Sequence, residues 1–327
     1  MSKIFPRILC VLAMIGIAAG PARAQETNYP TKRVRVLVGF AAGGGLDVLA
    51  RALATKLSTK LGQPMIVENI VGVAGAIMAQ RLATEAPDGY TIAVAASSAL
   101  VINVHMNPKP SYDTLKDFQP IILLVNQDGA LVVNNDLPIK SFPQFLQYAK
   151  DNPGKLSFGT PGLGSIGHIG GEILKKAAGI NMLNVPYKGD GPLATDLIAG
   201  TIPAGIIAIP AAAGMIKAGQ FRAIALLGTE RSRDFPDLPT IVELGYPTAT
   251  VQPWIGLIAP AGVPGAIVNK LNQATREAFT DPQILQLLRT QNNRIAIGTP
   301  EQFREHIATE YERWRKVINE SPELKSL

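Results

Sequence analysis

Cysteine is almost absent from this 327-residue chain: there is one, Cys10, inside an N-terminal apolar run. Around it, Lys3 and Arg7 form a basic start, Ile8 to Ala19 an apolar core, and Ala22-Arg23-Ala24 a small-x-small pattern. That is the arrangement of a secretory leader (1–24) cleaved after Ala24, which marks the mature protein for export. The mature chain then holds no cysteine, and disulfides, thiol catalysis and cysteine metal sites are excluded together. Cys10 precedes the cleavage point, so a lipid-anchored cysteine is excluded as well. Beyond the leader, long apolar runs are also missing. The longest candidate, Ile202 to Ile216, is broken by Pro203, Pro210 and several glycines, short of a membrane span.

Histidine is scarce too. His105, His168 and His306 lie far apart and form no spaced ligand pair, so no metal is expected. His306 is expected on a solvated helix face and His105 in a connecting segment. Lys3, Arg7 and Arg23 leave with the leader, so the 31 basic residues become 28, against 25 acidic ones. This mild surplus is spread along the chain, and with few aromatics it is no nucleic-acid footprint. Trp254 and Trp314 read as packing residues, although Trp254 falls where it could line a cleft.

What is present is glycine in a repeated setting. The β-branched run Val34 to Val38 breaks at Gly39-Phe40-Ala41-Ala42-Gly43-Gly44-Gly45 and resumes as a helix with Leu46, Leu49, Leu53, Leu57 and Leu61 at helical spacing, stopped by Gly62. A strand, a glycine-rich turn and a helix start together point backbone N–H groups and the positive end of a helix dipole at one spot, a seat for an anion. The arrangement recurs at Gly159 to Ser165, before a helix over Ile166 to Ala178. It recurs again at Pro186 to Gly191, before a helix over Leu193 to Ala199. Backbone donors and hydroxyls at such turns suit a carboxylate without Lys or Arg.

The wider pattern is α/β. Strands at Val34–Val38, Met65–Glu68 and Tyr90–Ala95 alternate with helices at Leu46–Leu61 and Gly75–Ala86, the order of a parallel sheet covered by helices. Two apolar runs between Ile121 and Val133, parted by Asn126-Gln127-Asp128-Gly129, mark a crossing into a second domain. There Ser141 and Gln144 predict a capping box for a helix ending near Asp151. The chain crosses back around Gln252 to Ala259. Residues 25–125 and 253–327 are therefore expected to form a discontinuous first domain and 126–252 an inserted second one, with a ligand cleft between them.

Known chemistries fail on spacing. Gly43-Gly44-Gly45 lacks the G-x-G-x-x-G pattern, and no glycine run ends in Gly-Lys-Ser/Thr, so no nucleotide cofactor is indicated. Leu163 stands where a hydrolase elbow around Ser165 needs glycine. Ser165 and His168, three apart, could still pair as nucleophile and base of a secreted hydrolase; the plainer reading is a helix cap and a first-turn polar side chain.

The chain resembles the extracytoplasmic solute-binding proteins of tripartite tricarboxylate transporters, the Bug receptors. The resemblance runs from Tyr29-Pro30 to Trp314. It rests on Phe40 to Asp47 (Phe-x-x-Gly-Gly-Gly-x-Asp), Gly62-Gln63-Pro64, Val67-Glu68-Asn69, Ala86 to Thr91, Lys116-Asp117-Phe118, Pro153 to Leu156, Val185 to Gly189, Lys217-Ala218-Gly219 and Trp254 to Pro260. It implies a two-domain periplasmic-binding-protein fold, type II-like, that closes on a small carboxylate and delivers it to membrane permease subunits. It also implies a monomer without cofactor or catalysis; a periplasmic ligand-sensing adaptor would use the same pocket.

By match of motif, Phe40, Ala41, Ala42, Gly43, Gly44, Ser97 and Ser98 should meet one end of the ligand. Thr160, Gly162, Ser165, His168 and Tyr187 should meet the other. The departures from the family pattern are specific. Ala41-Ala42 replace two prolines, Asn69 to Gly75 replace Asn-Arg-Pro-Gly-Ala-Gly-Gly, and Ile202 to Ile207 replace Val-Asp-Leu-Met-Phe-Asp, with both aspartates gone. Ile207 in place of an acid implies a ligand with an apolar body, an aromatic acid or aliphatic dicarboxylate rather than citrate or aspartate.

Overall fold

The computed structural model describes residues 28–106, 108–320 and 324, so the leader and its cleavage point lie outside the described residues. In chain order the first elements are β1 (Val34–Val38), α1 (Gly45–Leu61), β2 (Met65–Asn69), α2 (Ala76–Ala83), β3 (Thr91–Ala96), a one-turn α3 (Thr114–Asp117) and β4 (Phe118–Asn126). The chain then passes through β5 (Gly129–Val133), α4 (Phe142–Asp151), β6 (Ser157–Thr160), α5 (Ile166–Ala178), β7 (Leu183–Pro186), α6 (Asp190–Ala199), β8 (Ala204–Ala208), α7 (Ile209–Lys217) and β9 (Arg222–Leu226). It returns as β10 (Trp254–Pro260), α8 (Gly265–Ala278), α9 (Pro282–Thr290), a short β11 (Arg294–Ile295) and α10 (Pro300–Asn319).

These strands form two sheets. One has the order β11-β4-β10-β3-β1-β2 and the other β7-β6-β8-β5-β9. Neither is wholly parallel, as the βα alternation alone would suggest. β1 runs parallel to β2 and β3, and β6 parallel to β7 and β8. β10 lies antiparallel between β3 and β4, and β5 antiparallel between β8 and β9. The reversed strands β5 and β10 are those on which the chain enters a sheet from the other one. β4 and β5 pass directly from one to the other through Asn126–Gly129, and β10 re-enters the first sheet from the side of the second.

The core follows from periodicity. On α1, Leu49, Leu53 and Leu57 are buried, while Gly62 takes the left-handed conformation (φ 71°) that ends the helix, its N–H donating to Ser58 O at 3.0 Å. Each such leucine contributes about 1.5–3 kcal/mol by burial. On α10, Phe303, Ile307, Trp314 and Ile318 form the buried face. Thr299 and Gln302 make the reciprocal capping box at its start. The box expected at α4 is only half made: Gln144 Oε1 accepts from Lys140 N–H at 2.7 Å, but the Ser141 side chain makes no capping bond. The glutamine reaches one residue past the serine, to the residue before the cap.

His306 is not on a solvated face. It is half-buried, its ring 5.2 Å from that of Trp254, and Trp254 also packs edge-on to Phe303 at 5.5 Å. Position 306 shares the inner stripe of α10 with Phe303 and Glu310 at helical spacing. Trp254 is therefore a core residue and not a cleft-lining one. His105 lies in a connecting 3-10 turn as expected, with Nε2 3.0 Å from Tyr311 O.

Candidate functional site

The glycine-rich turns converge. Helices α1, α5, α6 and α7 begin at Gly45, Ile166, Asp190 and Ile209, directly after strands or turns of the two sheets. All four N-terminal regions contribute residues to one cavity between the sheets. The first N–H groups of a helix have no partner within it, and their dipoles add positive potential. The ends of α1, α5 and α6 around a common space form a seat for an anion with no need of a basic side chain; at α7 the Ala208 and Ile209 N–H groups already donate to Asp190 Oδ1 and Asp128 O and Pro210 has none, so that end adds its dipole alone.

The first-sheet wall is held by a residue in its own motif. Asp47 is buried in the first turn of α1, where Oδ2 accepts from Gly43 N–H and Arg51 Nε, both at 2.9 Å, and Oδ1 accepts from Asn69 Nδ2 at 2.8 Å. Asn69 Nδ2 also donates to Phe40 O at 2.9 Å. Burial by itself would raise the Asp47 carboxyl, but the donors Arg51, Asn69 and Gly43 outweigh it and hold the group below its ordinary value. The aspartate therefore stays charged and pins both ends of the loop 40–43. In the sequence Asp47 and Asn69 stand in family motifs that give them no role; an acid four residues after a glycine, in a first helical turn, was the available signal.

Behind this loop, Val73 and Ala74 both adopt left-handed backbone (φ 45° and 46°). Non-glycine residues there cost roughly 1–2 kcal/mol each. Asn103 Nδ2 donates to Val73 O at 2.7 Å and Ser98 Oγ to Ala74 O at 2.8 Å, and these bonds hold the turn. Ala74 stands where the family pattern has glycine, so the strain at that residue belongs to this departure.

The second-sheet wall is a capped helix start. Ser165 Oγ accepts from the backbone N–H of His168 at 3.2 Å, and His168 Nδ1 accepts from Gly164 N–H at 3.1 Å. The serine is thus an N-cap, and the imidazole fixes the turn 162–165 rather than activating the hydroxyl. This arrangement does not supply the nucleophile–base bond that a Ser165/His168 hydrolase requires. Burial, with Lys175 adding to it, pushes the imidazole down to about 4.

That shift has a defined sign. Between an unfolded pKa of about 6.5 and the folded value of about 4 the unfolded chain binds a proton that the folded chain does not, so stability falls as pH drops through this window. The loss approaches roughly 3 kcal/mol at 1.4 kcal/mol per unit. His168→Gln is expected to lose less stability than the parent between pH 6.5 and 4.5 in urea unfolding; equal losses would remove His168 from this role.

Of the residues expected at the ligand, the structure brings Phe40, Ala41, Ala42, Gly44, Ser97, Ser98, Ser165 and Ile207 to an inner cavity of about 90 Å³. Gly162 and Tyr187 border an outer cavity of about 570 Å³, and Phe40 and Pro161 line both. Gly43, Thr160 and His168 line neither. The Gly43 N–H is taken by Asp47, the Thr160 hydroxyl donates to Asn184 Oδ1 at 2.9 Å, and the His168 ring is turned to its own loop. Tyr187 is tied to its own domain, its hydroxyl donating to Asp196 Oδ2 at 2.9 Å. Ser98 lines the cavity with its hydroxyl already bonded to Ala74, whereas Ser97 Oγ accepts from Trp254 N–H at 3.4 Å and keeps its proton to donate.

One lining residue was passed over in the sequence. Asp190 opens α6, and its Oδ1 accepts from Ala208 N–H at 3.2 Å, beside Ile207. The acid that Ile207 removes from the family pattern is thus matched by another on the same wall, and the case against a donor-bearing ligand loses its ground. Gln127, between the sheets, lines the cavity too, with Nε2 donating to Asn293 Oδ1 at 3.0 Å.

Contacts close the cleft over this space. An ideal Cβ on Gly45 of α1 would stand 3.4 Å from Pro210 Cβ of α7, and within the first domain Gln291 Nε2 donates to Gly45 O at 3.4 Å, fixing the start of α1. Arg294 of β11 pairs with Asp128 at 2.9 Å and reaches Glu230 at 3.7 Å beside the crossing.

Two α/β domains closing on an anion-favouring cavity, with the chain passing more than once between them, define a periplasmic-binding-type solute receptor. The model of the tripartite tricarboxylate transporter family receptor matches residues 49–322. The chain belongs to that family, the Bug receptors. It is 36% identical over 324 residues to Protein BugT of Bordetella pertussis, covering 98% of each chain. The periplasmic binding protein BugD superposes with a TM-score of 0.87 at 28% identity, over 91% of this chain and 100% of its own. An R. palustris protein solved with adipate superposes with a TM-score of 0.85 at 32% identity, over 89% and 97%.

Proposed function

We propose that the mature protein, freed of its leader after Ala24, is a monomeric periplasmic receptor. It captures a small carboxylate with an apolar body, an aromatic acid or an aliphatic dicarboxylate, and passes it unchanged to the membrane permease of a tripartite tricarboxylate transporter. In this reading residues 25–125 with 253–327, and residues 126–252, are the two bodies that close. The membership of the strands in two sheets supports that division.

The observation that carries the reading is the convergence of four helix starts on a cavity otherwise walled by Phe40, Ala41, Ala42, Ile206, Ile207 and Pro210. The helix ends and Ser97 suit a carboxylate, and the apolar wall suits its body. A polyhydroxylated acid such as citrate would leave several polar groups facing that wall, at roughly 1–3 kcal/mol each. The relative solved with adipate supports the dicarboxylate option.

A thermal-shift screen of mono-, di-, tri- and aromatic carboxylates tests this. An acid present at a hundred times its dissociation constant is expected to stabilise the protein by about 2.7 kcal/mol, a rise of several degrees. No shift with any acid, or a larger shift with citrate than with the others, would count against it. Turnover of a chromogenic ester lost in Ser165→Ala would favour the hydrolase instead.

A further inference from the structure

Among the described residues lining the inner cavity, Asp190 is the one that carries a charge. It follows Gly189, whose backbone (φ 123°) turns the chain into α6, and its Oδ1 takes the Ala208 N–H at the start of α7. The lining residues next to it or to its Ala208 partner in sequence, Pro192, Ile207, Ala208 and Pro210, offer no side-chain donor, and the bond from Ala208 N–H is the one its carboxylate makes among the described residues. Burial pushes its carboxyl up to about 6, opposed by the Ala208 N–H, and no lysine or arginine contributes. Part of the residue's surface nevertheless stays open to the cavity it lines.

A carboxylate has about four lone-pair sites, and one backbone N–H leaves most of them unmet. In an apolar enclosure unmet acceptors carry a large penalty, and a partner that arrives with the ligand recovers it. The helix starts favour the ligand's anionic end, whereas Asp190 repels a second unprotonated one.

We propose that Asp190 is a specificity-determining residue: it accepts a hydrogen bond from the far end of the cargo, which is therefore a carboxylate whose apolar body ends in a donor. A hydroxyl or amino substituent on an aromatic or aliphatic acid meets this, as does a dicarboxylate that keeps one proton. The proposal rests on the carboxylate-receptor reading above and names the ligand's second end. Sites built to hydrogen-bond a donor reject the analogue that lacks it far more strongly than apolar pockets reject a missing methylene.

Calorimetry on matched pairs tests it: benzoate against 4-hydroxybenzoate, and hexanoate against 6-hydroxyhexanoate and 6-aminohexanoate. In the parent protein the donor-bearing member is expected to bind at least about tenfold more tightly in one or both series. In Asp190→Asn the amide oxygen can keep the Ala208 bond and its NH₂ faces the ligand, so the preference is expected to vanish or invert, with adipate gaining. Asp190→Ser, which lacks the carboxylate altogether, should also lose the preference, and guards against misfolding of a single variant. Binding within threefold for both members of each pair, or a preference that survives in both variants, would reduce Asp190 to a cap of α7. If no acid binds the parent at all, the receptor reading fails, and this proposal falls with it.

Discussion

Gly45→Trp is expected to weaken carboxylate binding by roughly a hundredfold or more while leaving the unfolding midpoint of the free protein nearly unchanged. Gly45 opens α1 on the first-sheet side of the cleft and meets Pro210 and Ala211 of α7 on the other. A Cβ at 3.4 Å from Pro210 Cβ is ordinary contact, so Gly45→Ala should be close to neutral. An indole cannot occupy the same space unless the two domains move apart. If it disfavours the closed arrangement by about 3 kcal/mol, the competent fraction and the apparent affinity fall together by about two orders of magnitude. Calorimetry with the best acid from the screen reads the affinity, and small-angle scattering reads the opening. Parent-like affinity in Gly45→Trp would show that closure at α1 and α7 plays no part in binding.

Trp254→Ala acts on stability instead. The side chain is 1% exposed and packs against Phe303 and His306, at the start of the strand that returns the chain to the first sheet. Removing a buried tryptophan costs about 3–5 kcal/mol, through lost burial and the cavity left behind. The midpoint of thermal unfolding is expected to drop by roughly 10 °C, with Trp254→Phe recovering part of the loss. Among the described residues the Trp254 Nε1 has no hydrogen-bond partner, which slightly offsets the cost of removing the ring. A change of less than about 2 °C would contradict the packing described here.

Much of the fold was legible in the sequence because its signals are local. The leucines of α1 and the Gly62 stop, the Thr299 box of α10 and the helix over Ile166 to Ala178 all appear where side-chain period and capping chemistry place them. The direction of β10 was not legible. Strand polarity depends on where the chain re-enters a sheet, and residues Trp254 to Pro260 read the same either way. The turn after β3, with a π-helical turn at Ser98–Ile102, carried no period long enough to detect.

The candidate site was legible in outline and not in its wiring. Glycine-rich turns mark where backbone donors gather, so Phe40 to Gly44 and Ser165 were found. Which polar groups are spent inside the protein depends on partners distant in sequence. Thr160 is answered by Asn184, Gly43 by Asp47, and Ser98 by the strained turn at Ala74. Asp190 was hidden for the converse reason: in a turn rich in glycine an aspartate looks like a turn former, and only the approach of β8 gives it a cavity.

Phe40 and Pro161, one on each side of the cleft, border both the inner and the outer cavity. A molecule leaving the inner space by way of the outer one passes between them, and on the other side α1 comes close to α7, an ideal Cβ on Gly45 standing 3.4 Å from Pro210 Cβ. On the proposed reading escape waits on separation of the halves, so the residence time of the cargo would be set by the opening rate more than by the contacts it makes. In the proposed function, a membrane partner that pries the halves apart would unload the receptor without competing for any of those contacts.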